Sequence, residues 1–177
     1  MPGVIVPRKA VAEVQKLIED LGAEVTIELS PTKVRFSFDD VVLTSKLIDG
    51  TFPDYARVIP TTNHKRLVVE CKPFMEAVDR VSTISSERGR AIKLAIGDNK
   101  MTLSVNNPDS GSASEEIEVE YDSAPIEIGF NARYLLDIAG QLAGDTALIK
   151  LSDPGSPTII QDREGSPALY VLMPLRV

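Results

Sequence analysis

One pattern recurs three times along this chain: a short apolar strand, an amphipathic helix, then three strands of alternating polarity. In the first copy Val4-Ile5-Val6 leads into a helix opened by Pro7, and Val11, Val14, Leu17, Ile18 and Leu21 are expected to face inward. Its strands are predicted over 24–29, 33–38 and 41–47, separated by Ser30-Pro31 and Asp39-Asp40. The second copy starts at 67–71, with a helix opened by Pro73 that turns Phe74, Ala77, Val78, Val81 and Ile84 inward. Strands over 91–96, 100–106 and 114–121 follow, with Gly97-Asp98-Asn99 as a hairpin turn. The third copy has a strand over 125–130, Asn131 as N-cap, an apolar stripe of Tyr134, Leu135, Ile138 and Leu142, and Gly144 as the stop. Strands over 146–151, 158–161 and 169–173 complete it.

Such a unit has one apolar sheet face and one apolar helix stripe, and it cannot cover both by itself. Units should therefore pair, helix beside helix, on a continuous antiparallel sheet, in an α+β architecture of repeated β-α-β-β-β units. Copies two and three make a complete domain over 61–177. Copy one, with the connector that follows it, occupies 1–60 and reads as half of a domain whose mate is absent, with an exposed sheet edge near its start. On this pattern the chain is expected to be the C-terminal piece of something longer.

The connector over 47–60 carries Asp49-Gly50, Pro53 and Pro60, so it should be extended, bent and rigid. Phe52, Tyr55, Val58 and Ile59 within it call for a surface to pack on, which suggests one wall of a groove.

With 177 residues, 43% of them apolar, the chain has material for a sizeable core. No run of 18 apolar residues occurs, and the first residues lack the pattern of a signal peptide, so membrane insertion and secretion are not expected and the cytoplasm is the default compartment. Cys71 has no second cysteine to pair with and sits in an apolar run, as a small buried hydrophobe would. The net charge of −7 argues against a broad grip on nucleic acid. Between Lys100 and Arg133 all the charges are acidic, whereas Arg8, Lys9 and Lys16 gather on the first helix and Lys72, Arg80, Arg88, Arg90 and Lys93 on or after the second. DNA could pass beside such helices without being held firmly.

Catalytic patterns are weak. His64, the single histidine, lies beside Lys65 and Arg66 with no triad or metal partner at a useful spacing. The alternation over 116–121 is what a strand with one wet face writes. A metal-dependent nuclease-type enzyme using the carboxylates of 109–127 is the rival reading, and it requires those groups to converge in a cleft. The segment over 153–157 lacks the glycines and lysine of a phosphate loop, and no cofactor or metal is expected.

Five blocks carry a more specific signal: Ile5-Val6-Pro7-Arg8-Lys9; Thr44-Ser45-Lys46-Leu47 with Asp49-Gly50 and Phe52-Pro53-Asp54-Tyr55; Asn106-Asn107-Pro108; Ile128-Gly129-Phe130-Asn131; and the terminal run from Tyr170 to Val177. In order and spacing they resemble the bacterial DNA polymerase III beta subunit, the replicative sliding clamp, over essentially the whole chain. The resemblance implies a DNA-clamp fold and a non-catalytic processivity factor whose full-length form closes as a homodimeric ring around duplex DNA. It implies a pocket for short linear motifs of the polymerase III alpha subunit, the clamp loader, repair polymerases and mismatch-repair proteins. Matching positions are Pro53, Arg57 and Val58 on one side, Asn131 and Tyr134 at the rim, and Val171, Leu172, Met173, Pro174, Leu175 and Arg176 on the C-terminal side. Arg8 and Lys9 match DNA-facing positions, and Thr83 and Ile84 match the ring interface, where the family can place an aliphatic residue instead of Thr83. A separate adaptor that binds the clamp loader or polymerase is the remaining alternative.

Overall fold

Pro7 presets the backbone at the head of the first helix, and its carbonyl accepts the N–H of Ala10 at 2.9 Å and of Val11 at 3.2 Å. The computed structural model describes residues 3–18, 24–85 and 90–177, which divide into two units, Met1–Asp54 and Tyr55–Val177.

In the first unit the expected leading strand shrinks to one bridge between Ile5 and Ile48. Helix α1 (Arg8–Ile18) is followed by β1 (Thr26–Leu29), β2 (Lys33–Phe38) and β3 (Val41–Lys46), an antiparallel meander in that order. The period of two sends Val34, Phe36 and Phe38 of β2 to one buried face, and Val6, Val14, Val25, Leu29, Leu43 and Leu47 pack around them. The expected inward stripe of α1 is only partly realised. Ala10 is buried and Val14 joins the core, but Val11, Leu17 and Ile18 are exposed at 51%, 37% and 36%. A three-stranded sheet covers only a narrow arc of the helix, and no second helix lies beside it among the described residues of this unit. The outer edge of β1 has no strand paired to it among the described residues. Leu21 lies outside the described residues.

The second unit opens with a single 3-10 turn, Tyr55–Arg57. Then come β4 (Lys65–Glu70), α2 (Cys71–Ser82), β5 (Ala91–Gly97), β6 (Lys100–Asn107), β7 (Gly111–Glu118), β8 (Glu120–Tyr121), β9 (Ile126–Asn131), α3 (Ala132–Ala139), β10 (Thr146–Leu151), β11 (Thr158–Gln161) and β12 (Tyr170–Leu172). The strands form two antiparallel sheets, ordered β12-β11-β10-β4-β8 and β7-β6-β5-β9, rather than the one continuous sheet expected. Each repeat lends its leading strand to the other: β4 pairs with β10 of the third copy, and β9 pairs with β5 of the second.

The sheets part because the strand expected over 114–121 breaks at Val119, which is buried at 8% exposure. Asn99 holds that break. Its carbonyl accepts the Val119 N–H at 2.9 Å, and its Oδ1 accepts the Tyr121 N–H at 2.9 Å. Asn99 can do this because it sits at φ 58° after Asp98 at 51°, the pair of left-handed residues that a two-residue hairpin turn requires.

Helices α2 and α3 lie side by side on one contiguous core that includes Phe74, Val78 and Val81 of α2, Leu135 of α3, and Leu67, Ile92, Met101, Leu103, Ile128, Phe130 and Leu151 from both sheets. Helix α2 begins at Cys71, ahead of Pro73, which still falls in its first turn. The stop of α3 is Gly140, whose N–H reaches the Leu136 carbonyl at 2.9 Å, and not Gly144. Gly144 instead joins Ala143 in donating to Asp162 Oδ1, at 3.0 and 2.9 Å, and so fastens the loop beyond the helix to the end of β11.

Candidate functional site

Asn131 ends β9 and caps α3, its Oδ1 accepting the Arg133 N–H at 3.0 Å. From that start Ala132, Leu135 and Ala139 turn into the core. Tyr134, Asp137 and Ile138, at i, i+3 and i+4, share a different face. Tyr134 therefore leaves the apolar stripe expected for it, because the three smaller or fully buried residues occupy the core arc, and it stands 54% exposed. Across from this face β12 pairs with β11 as the edge strand of its sheet, with Leu172 opposite Thr158.

The two elements enclose an open hollow of about 550 Å³, lined by Tyr134, Asp137 and Ile138 from the helix, by Tyr170, Val171 and Leu172 from the strand, and by Leu169 and Met173 that flank it. Leu172 forms a buried wall, while Met173 is 57% exposed at the mouth. An apolar side chain filling such a hollow would gain roughly 1.5–3 kcal/mol, and a flexible methionine at the mouth can adapt its shape to what enters. Asp137 is the one carboxylate of the lining, with Arg133 Nε at 3.9 Å.

The tail divides after this point. Val171, Leu172 and Met173 line the hollow, whereas Leu175 bridges to Gly129 on β9, its N–H donating to the Gly129 carbonyl at 2.8 Å. Arg176 and Val177 continue over the other sheet, beside Lys93, Ser104 and Ser114. Pro174 is the half-buried joint between the two parts.

Arg57 closes the 3-10 turn, the Val58 N–H donates to the Tyr55 carbonyl at 3.0 Å, and neither residue lines the hollow. Pro53 is an exposed residue near the end of the first unit. Phe52, Tyr55 and Val58 are exposed at 66%, 70% and 50%, so the packing surface expected for them is not supplied by the described residues. Leu169, Tyr170, Asp137 and Ile138 line the hollow although the sequence does not assign them to a site: it reads Ile138 as core stripe and Tyr170 as part of the terminal run. The helical spacing from Tyr134 points to two of them, and alternation along the last strand points to the others.

Arg8 and Lys9 are the first two residues of α1 and both are exposed. Cations at a helix N-terminus oppose its dipole, so local stability does not account for them. Thr83 caps the C-terminus of α2, its Oγ1 donating to the Asp79 carbonyl at 3.0 Å. Ile84 packs half-buried on the core, and its carbonyl accepts the Asn107 Nδ2 at 2.8 Å.

The acidic strand does not converge on a cleft. Glu115 receives two hydrogen bonds from Arg80, at 2.6 and 3.0 Å, which hold its carboxyl below the ordinary glutamate range. The next residue, Glu116, points to the opposite face and meets Lys100 at 2.6 Å, while Glu127 meets Lys93 at 3.3 Å. Among the described residues no group of three or more metal-ligating side chains gathers. His64 is exposed, with Nδ1 3.2 Å from the Thr62 carbonyl oxygen. A larger hollow of about 870 Å³ lies between the start of α2 and the end of α3, but Glu70, Lys72, Glu76 and Asp145 give it a charged lining. The Cys71 thiol there is pushed up by burial and by Asp162 and Asp145, away from the lowered range of nucleophilic cysteines. Among the described residues no helix is long and apolar enough to cross a membrane.

Residues 56–176 match the family described as DNA polymerase III beta subunit, C-terminal domain, and residues 1–54 match its central domain. The beta sliding clamp of Caulobacter vibrioides is 54% identical over 177 residues, which is 100% of this chain and 48% of that protein. The crystal structure of a sliding clamp from Bartonella birtlesii bound to griselimycin superposes with a TM-score of 0.92 at 59% identity, covering 100% of this chain and 48% of that one. A sliding clamp from Pseudomonas aeruginosa, solved with ligand, gives 0.89 at 37% identity, covering 98% of this chain and 48% of that one. The chain thus spans about half the length of the relatives it matches. With the helices of its second unit side by side on antiparallel sheets and both family domains matched in order, the chain has the DNA-clamp fold and belongs to the DNA polymerase III beta subunit family.

Proposed function

We propose that this chain is the C-terminal part of a non-catalytic, cytoplasmic processivity clamp that tethers a replicative polymerase to duplex DNA and captures short linear motifs of its partners. The apolar hollow between α3 and β12 carries the reading, since it offers anchoring walls for leucine and aromatic side chains. Tethering raises the effective concentration of the polymerase at its template, so modest contacts suffice. Residues 61–177 act as the third clamp domain and 1–60 as the second half of the middle domain plus connector. The bare face of α1 and the open edge of β1 would be covered by another β-α-β-β-β repeat, as the two repeats of the second unit cover each other. In the full-length homodimeric ring Arg8 and Lys9 face DNA and Thr83 and Ile84 contribute to closure. Pro53, Arg57 and Val58 are the connector positions that a bound motif would meet beyond the hollow itself, with Asn131 and Tyr134 at the rim and Val171, Leu172, Met173, Pro174, Leu175 and Arg176 forming or supporting its wall. The polymerase III alpha subunit, the clamp loader, repair polymerases and mismatch-repair proteins are the partners of this kind of site.

The test is a titration of the chain with griselimycin and with a short peptide bearing leucine and phenylalanine anchors. Met173→Ala and Pro174→Ala should each weaken binding. If neither does, the pocket assignment fails.

A further inference from the structure

We infer that Gly129 is the seat of the C-terminal tail and thereby a positioning residue for the motif-binding hollow, a role that rests on the motif-binding reading above. The tail is pinned twice, once on each sheet. Leu172 is the last residue in the ladder with β11, opposite Thr158. Leu175 is bridged to Gly129 on β9, in the other sheet. Only Met173 and Pro174 lie between the two pins, and the proline ring fixes one of the few torsions left to that span. Holding both ends so close together sets where the Met173 side chain can stand at the mouth of the hollow.

The second pin depends on residue 129 having no side chain. Gly129 does not occupy the left-handed backbone region, so conformation does not demand a glycine there. Space does. A methyl group at 129 would overlap Val177 Cγ1 and stand 2.7 Å from both Val177 Cγ2 and the Leu175 carbonyl oxygen. The Val177 side chain is 63% exposed and can swing aside. The Leu175 carbonyl is main chain, and it clears the methyl only if the tail lifts, which breaks the 2.8 Å bond and frees the far end of the Met173-Pro174 span.

The experiment compares the wild-type chain with Gly129→Ala, Leu175→Pro and Met173→Ala. A fluorescein-labelled short peptide with leucine and phenylalanine anchors reports affinity, amide exchange at Leu175 reports seating, and thermal melting reports the core. Gly129→Ala should weaken the peptide by at least about fivefold, roughly 1 kcal/mol, accelerate exchange at Leu175 and leave the melting temperature close to wild type. Leu175→Pro removes the donor from the tail side without touching β9, and it should weaken the peptide to a similar extent even if Gly129→Ala proves unstable. If Met173→Ala weakens binding while Gly129→Ala and Leu175→Pro leave affinity unchanged, the seat is not a positioning device. If the wild-type chain binds no peptide, or neither Met173→Ala nor Pro174→Ala changes its affinity, the motif-binding reading itself falls.

Discussion

Arg80 on α2 grips Glu115 on β7 through Nε at 3.0 Å and an Nη nitrogen at 2.6 Å, a tie that couples a helix of the second unit to the outermost strand of its four-stranded sheet by charge. A two-pronged guanidinium contact has a fixed geometry that a lysine cannot reproduce.

The tie should dissolve in acid. The carboxyl of Glu115 is held below the ordinary glutamate value of 4.5, chiefly by its hydrogen bond from Arg80. A depressed folded-state pKa contributes stability that is fully present above the unfolded value and is lost as pH falls through the folded one. Glu115→Gln should therefore lower the melting temperature slightly at neutral pH and converge on wild type at a pH well below 4.5. A difference that persists unchanged into acid would show that Glu115 acts by packing.

Asn131 closes a strand and opens a helix at once, so its side chain can be tested on its own. Asn131→Ala leaves the Arg133 N–H without its side-chain acceptor and should cost about 1 kcal/mol in chemical denaturation. Asn131→Asp, which keeps the acceptor, should recover most of that.

Asn99 offers a paired test of conformation against hydrogen bonding. Asn99→Gly removes only the bond to the Tyr121 N–H and should cost about 1 kcal/mol. Asn99→Ala removes the same bond and also forces a Cβ-bearing residue without a polar side chain to φ 58°, so the loss should rise to about 2–3 kcal/mol. Equal losses in urea unfolding would mean that the turn has relaxed.

Arg8→Glu combined with Lys9→Glu, made in the full-length protein that is proposed to close as a ring, should reduce DNA association and flatten its dependence on salt. If each residue neutralises one phosphate, the slope of log K against log salt should fall by about 2. An unaltered slope removes both residues from the DNA-facing surface.

The repeat is legible in the sequence because three apolar periods change from 2 to 3.6 and back in the same order, and the hairpin at Asp98-Asn99 is legible because few residue pairs tolerate two left-handed positions. The N-cap at Asn131 is equally plain. Sheet continuity is not. Val119 is an apolar residue in an alternating run, and nothing local says that its N–H will turn to the Asn99 carbonyl instead of the neighbouring strand. The stop of α3 is ambiguous because Gly140 and Gly144 are both eligible, and the choice rests on Asp162, a residue far along the chain that claims the Gly144 N–H. The exposed stripe on α1 is unreadable for a related reason: periodicity reports which residues seek cover, not whether cover is present. At the candidate site, the strand side of the hollow can be read from the terminal apolar run, but the departure of Leu175 toward Gly129 depends on a missing side chain in a distant strand.

Because β4 belongs to the sheet of the third copy and β9 to that of the second, the two halves of the second unit are clasped like interlaced fingers. A protease cut in the short stretch between β8 and β9 would sever the covalent thread yet leave each product threaded into the other's hydrogen-bonded ladder. The nicked pieces should travel together until denaturant releases both at once, and neither, expressed by itself, would have the strand it borrows.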